Sequence, residues 1–116
     1  RILIADEYLN QLKNSVDIVL PVRKDWAKQV YHLFVIRHPK RDLLIEKLNH
    51  SGVQTGIHYP IALPKLPAFN YLGQSNERGN AWVNDDTILS LPIGDSMSHE
   101  SVFKSISIIK KELSLL

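Results

Sequence analysis

A histidine, a tyrosine and a proline stand side by side at His58-Tyr59-Pro60, at the end of the run Gly52 to Ile57. Imidazole and phenol are polar tips on rigid rings, and both can grip hydroxyls or phosphates through hydrogen bonds. Pro60 biases Tyr59 toward an extended backbone, so the pair is held out from the chain rather than wound into a helix. Other arrangements offer less. The histidines His32, His38, His50, His58 and His99 show neither an H-E-x-x-H motif nor a paired i, i+4 spacing, so no metal site is expected. Ser90 lies in Leu-Ser-Leu-Pro, not in a Gly-x-Ser-x-Gly elbow, and Ser96, Ser98 and Ser101 have the surroundings of turn and cap residues. The adjacent carboxylates Asp6-Glu7 and Asp85-Asp86 point apart on either kind of element and make no acid–base dyad. Lys65 is a lone cation in a proline-rich stretch, and a solvated lysine is the expectation.

The elements that must position His58 and Tyr59 follow from periodicity. Ile2, Ala5, Leu9 and Leu12 share one helical face, ending near Asn14-Ser15. The β-branched run Val16 to Val22 surrounds Pro21, which cannot donate to a ladder, so an edge strand is expected there. Residues Ala27 to Arg37 give the strongest strand signal, with Val30, His32, Phe34 and Ile36 on one face; His32 is thus expected to be a hydrogen-bonded core residue. His38-Pro39 ends that strand and opens a helix over Arg41–Ser51, stopped by Gly52. Val53 to His58 alternates as a further strand, with His58 on the face of Gln54 and Gly56. Pro60 to Pro67 holds three prolines in eight residues and is expected to be a semi-rigid extended loop. A helical turn at Ala68–Leu72 ends at Gly73, and residues 74–80 form a polar loop. Residues Ala81 to Asp86 are ambiguous because their Asn and Asp residues oppose a helix. Ile88 to Pro92 forms a short buried strand. Ser98 caps a last helix whose stripe is Val102, Ile106, Ile109 and Leu113. The order implies an α+β domain, with a short mixed or antiparallel sheet packed by helices.

Composition narrows the class. The chain of 116 residues is one domain in size, and 44% apolar residues suffice for a packed core. A net charge of +2 without charge runs gives no argument for nucleic acid, and no apolar run reaches bilayer length, so no membrane contact is expected. Cysteine is absent, which excludes disulfide and thiolate chemistry and accords with a cytoplasmic protein. Arg1 to Ala5 already has the pattern of a helix in progress without a start signal. A fragment of a longer chain is expected, with residues 1–14 leading in from a missing domain.

Three stretches in this order, Val30-Tyr31-His32-Leu33-Phe34, Gly52 to Pro60 and Leu89-Ser90-Leu91-Pro92, resemble the C-terminal domain of the DegT/DnrJ/EryC1/StrS family. These are pyridoxal-phosphate-dependent aminotransferases of fold type I that act on nucleotide-linked keto-sugars. The resemblance extends over nearly the whole chain. It implies an enzyme of surface polysaccharide, lipopolysaccharide or antibiotic-sugar biosynthesis, a nucleotide-sugar substrate, an amino donor such as glutamate, and a homodimer. It also implies that His58 and Tyr59 lie at the active-site mouth and bind substrate. In this family the cofactor sits on a large N-terminal domain, whose lysine forms the Schiff base in a Ser-rich, Gly-Glu-Gly-Gly-like segment. No lysine here has that context, so this chain alone is expected to hold no catalytic or cofactor-binding residue and to be inactive. It also departs from the pattern after Pro60: Ala62, Pro64 and Leu66 stand where many members have a proline, a histidine and a glutamine, and residues 80–86 match the family's helix poorly. The competing expectation is a non-catalytic α+β module for small-molecule binding or interaction.

Overall fold

The alternating run before the first proline-marked break becomes a strand only over its last four residues, β1, Phe34–Arg37. The structure is a computed structural model describing residues 1–74 and 79–116. Tyr31 has φ +52°, a left-handed value uncommon for any residue but glycine. That turn changes the phase of the alternation. Tyr31 goes inward beside Phe34, with ring centroids 5.9 Å apart, while Val30 and His32 are exposed. The expected strand over 27–37 and the expected core role of His32 are therefore corrected.

β1 pairs antiparallel with β2, Ile88–Leu91, in the register Phe34↔Leu91, Val35↔Ser90, Ile36↔Leu89 and Arg37↔Ile88. The two other expected strands shrink to one residue pair each. Val19 pairs with Arg37 on the outer edge of β1, and Gly56 pairs with Ser90 on the outer edge of β2. Near Val19 the ladder cannot extend, because Pro21 has no N–H to give and Asp17 takes φ +56°. At Gly56 the chain has just left a helix end and turns away at His58.

The sheet has two unlike faces. Phe34, Ile36, Leu89 and Leu91 are buried on one, against the helices. α1, Ile2–Leu12, buries Ala5, Tyr8 and Leu12; the helical face is centred on Tyr8 rather than on Leu9. The Tyr8 hydroxyl donates to the Pro92 carbonyl at 2.8 Å, and burial pushes its phenol pKa well up. α2, Arg41–His50, buries Leu44 and Leu48, and α4, His99–Leu113, packs on both α1 and α2 through Val102, Ile106, Ile109 and Leu113. Each buried leucine-sized side chain contributes roughly 1.5–3 kcal/mol, so this helical layer is what anchors the small sheet. Capping follows the sequence signals. Ser98 Oγ accepts the Ser101 N–H at 3.1 Å. Gly52, at φ +83°, closes α2 with bonds from Gly52 N–H to the Asn49 carbonyl and from Val53 N–H to the Leu48 carbonyl.

The proline-rich stretch is less extended than expected: a 3-10 turn forms at Leu63–Lys65, followed by a 3-10 helix at Pro67–Leu72 that ends at Gly73. The ambiguous segment settles as a short helix, α3, Asn80–Asn84. Most of the expected polar loop at residues 74–80 lies outside the described residues.

Candidate functional site

The face of the sheet turned away from the helices carries Val35, Arg37, Ile88 and Ser90. Above it run the residues that follow Gly56. His58 and Tyr59 come together there with their rings edge to face, 5.9 Å apart at 76°. The peptide bond between them is cis. Both side chains line an open groove of ≈ 770 Å³ bounded by the sheet residue Arg37, the loop residues Ile61 and Leu63, and Asn84 and Asp85 at the end of α3. Tyr59 is 75% exposed, so its ring and hydroxyl are available to a ligand. His58 also borders a second, shallower groove of ≈ 400 Å³ with His32, Gln54 and Thr55.

The wall of the main groove is pinned by Asp85, only 7% exposed. Its Oδ2 accepts the Ala62 N–H at 2.9 Å and its Oδ1 accepts the Lys65 ammonium at 2.6 Å. Burial pushes the Asp85 carboxyl up, but Lys65 and the Ala62 N–H outweigh it and hold the pKa below the usual carboxylate range. The Lys65 ammonium also sits 5.2 Å from the centroid of the Trp82 ring. Lys65 is therefore a structural cation, not the solvated one expected from sequence. Arg41 donates to the Asp85 and Ile88 carbonyls at 3.1 and 3.3 Å, which ties α2 to the same wall. Arg37 reaches from β1 to the Asn84 side-chain carbonyl.

The sequence singles out His58 and Tyr59, which the structure brings together, but not their neighbours Arg37, Asn84, Asp85 and Ser90. Arg37 had a signal, being a charged residue at the end of an apolar strand. Asp85 had none, because its partners lie on a loop whose folding back is set by tertiary contacts. Among the described residues no group of three or more His, Asp or Glu side chains could hold a metal ion. No helix among them is long and apolar enough to cross a membrane.

Residues 1–110 match the DegT/DnrJ/EryC1/StrS aminotransferase family. The chain belongs to that family. It is 38% identical over 113 residues to the erythromycin biosynthesis sensory transduction protein EryC1 of Saccharopolyspora erythraea, covering 95% of this chain and 30% of that protein. It is 32% identical to a dTDP-3-amino-3,4,6-trideoxy-alpha-D-glucose transaminase of Streptomyces venezuelae, over 96% of this chain and 30% of that one. Among solved structures, S. venezuelae DesV in complex with a ketimine intermediate superposes with TM-score 0.85 at 30% identity, over 97% of this chain and 30% of its own. The PLP form of a putative sugar aminotransferase from Streptococcus pneumoniae superposes with TM-score 0.80 at 25% identity, over 98% of this chain and 30% of its own. The family thus uses pyridoxal phosphate, and the chain spans about 30% of the length of these relatives.

Proposed function

We propose that this chain is the C-terminal, substrate-facing part of a pyridoxal-phosphate-dependent aminotransferase that converts a nucleotide-linked keto-sugar to an amino-sugar. The family match over residues 1–110 carries the proposal, and the groove lined by His58 and Tyr59 supports it. His58 and Tyr59 are the substrate-binding residues, hydrogen-bonding sugar hydroxyls or the diphosphate. Arg37, the one guanidinium lining the groove among the described residues, suits the diphosphate, because charge-assisted bonds to phosphate are the strong ones. The transaminase name of the Streptomyces venezuelae relative supports a dTDP-sugar as substrate.

Pyridoxal phosphate supplies an electron sink to such a reaction. The described residues do not fit it: among them no lysine lines the groove, and the nearby Lys65 ammonium is committed to Asp85. The cofactor is accordingly assigned to residues outside this chain. Glutamate as amino donor, a homodimer, a cytoplasmic location and inactivity of this chain alone complete the proposal.

The test is kcat/KM for a dTDP-keto-sugar in the intact protein carrying His58→Ala or Tyr59→Phe. Loss of one neutral hydrogen bond costs about 0.5–1.5 kcal/mol and loss of one to phosphate about 1.5–3, so a fall of roughly three- to a hundred-fold is expected. Cofactor absorbance and melting temperature should hold. Unchanged kinetics in both variants would remove the pair from the substrate site.

A further inference from the structure

His58 is held from below by the sheet. Its Nδ1 lies 2.9 Å from Ser90 Oγ, and Ser90 is 5% exposed. The backbones of Ser90 and Gly56 bond both ways, at 2.7 and 3.1 Å, so the segment carrying His58 is clamped at the residue opposite Ser90. Gly56 supplies the clearance: a Cβ there would stand 2.8 Å from His58 Cε1. The backbone at Gly56 needs no left-handed φ, so it is the ring above it that calls for glycine. Nε2 makes no hydrogen bond among the described residues, and the ring borders both grooves.

The direction of the Ser90–His58 bond follows from which donors are left over. With the proton on Nδ1, the ring would donate to Oγ. The serine hydroxyl proton, which has no other partner among the described residues, would then have only water from the shallow groove that Ser90 also lines, at a residue 5% exposed, so part of its desolvation cost would stand. With the hydroxyl donating to Nδ1, every buried donor is satisfied and the ring proton sits on Nε2. A hydroxyl rotates freely and both donates and accepts. When the imidazole gains a second proton, Ser90 turns and accepts from Nδ1–H, and Nε2–H stays as it was.

We propose that Ser90 is a positioning residue that fixes His58 as an Nε2–H donor in both protonation states, so that this point of the groove recognises an oxygen acceptor on the substrate. The ligand half of this inference rests on the function proposed above; the orientation of the ring does not. The acceptor is either a phosphate oxygen or a sugar hydroxyl.

Two measurements test it. In the labelled full chain, at about pH 9, well above the range of a free imidazole, long-range proton–nitrogen correlation reads the tautomer of each histidine, and His58→Gln identifies the signals of His58. The Nε2–H form should dominate. Ser90→Ala should move His58 toward a mixture, and Ser90→Thr should restore it. Gly56→Ala, which leaves the serine in place but displaces the ring, should match Ser90→Ala. An Nδ1–H form in the unaltered chain, or a tautomer unmoved by both alanine variants, overturns the inference.

In the intact protein, Ser90→Ala should weaken binding roughly two- to tenfold, the worth of one neutral hydrogen bond. A loss already seen with dTDP assigns the acceptor to phosphate; a loss seen only with dTDP-glucose assigns it to a sugar hydroxyl. Ser90→Ala should add nothing once His58 is replaced by Ala; an undiminished loss there overturns the positioning role. The expected tautomer with unchanged dTDP-glucose affinity in His58→Ala would sink the substrate assignment of His58 and, with it, the ligand half of this inference. A wrong tautomer sinks the inference alone.

Discussion

Asp85 shows how a residue dismissed as one of two adjacent carboxylates can organise a site. Its carboxylate bridges the end of α3 to both Ala62 and Lys65, so it helps set the width of the groove without touching the chemistry proposed for it. An unfolded aspartate titrates near 3.9, and the folded one lies lower. Between the two values the unfolded chain takes up a proton that the folded chain refuses. Stability from this group is therefore full above about pH 4 and lost as pH falls through the folded pKa. Asp85→Asn should cost about 1.5–3 kcal/mol at neutral pH, the range for hydrogen bonds to a charged group. Its deficit in melting temperature against the unaltered chain should shrink as pH falls below the free carboxyl value and on through the lowered folded one. A deficit independent of pH would mean the carboxylate charge is not what holds the loop. His58 and Tyr59 are legible in the sequence because a proline and an alternating run flank them. Asp85 and Ser90 are not, because both act through partners distant in sequence.

At the scale of elements, the helices are legible and the strands only partly so. α2 and α4 carry both a 3.6-residue stripe and end signals, and two independent local signals agree. β-branched alternation, by contrast, shows only that a segment could pair. Val16–Val22 and Val53–Ile57 have the pattern, but a proline, a left-handed Asp17 and the turn at His58 leave each with one pair. Tyr31 is the sharper case. Nothing in the residue type announces φ +52°; it follows from burying the ring beside Phe34 while the Arg23 Nε donates to its hydroxyl at 3.0 Å. The helix stops make the legible part testable. Gly52 sits at φ +83° with open space where a Cβ would go, so Gly52→Ala meets backbone strain and no clash. The expected cost is about 1–2 kcal/mol, the penalty of left-handed backbone for an L-residue. Chemical denaturation checks it: the midpoint should fall with the slope unchanged. An unaffected midpoint would show that the end of α2 contributes nothing to the stability of the domain.

Across the whole molecule, order is concentrated in one half. The Cα radius of gyration is 15.5 Å and the extents are 49 × 35 × 25 Å, against about 13 Å for a compact domain of this size. The excess comes from segments that lie outside the helix-and-sheet core. Trp26 is 86% exposed, and Val16, Val22 and Val30 on the same stretch are exposed too. From Pro21 to Leu33 the one backbone–backbone hydrogen bond among the described residues is Ala27 N–H to the Lys24 carbonyl, at 3.1 Å. That stretch is anchored at few points, chiefly by the Arg23–Asp6 ion pair at 2.6 Å and by Tyr31. An exposed pair of this kind contributes roughly 0–1 kcal/mol. Amide exchange tracks local opening, which is nearly free where backbone bonds are few and approaches the global unfolding energy in the core. Hydrogen exchange on the full chain should therefore protect the amides of Ile106, Ile109, Ile36 and Leu89 most strongly. Val22, Lys24, Trp26 and Val30 should exchange at close to the rate of free peptide. Protection of Trp26 comparable to that of Ile109 would mean that this stretch packs on the core after all. If the contrast holds, the helices and two short strands fold as the cooperative unit, and the groove residues depend on that unit through β1, β2 and the buried Asp85.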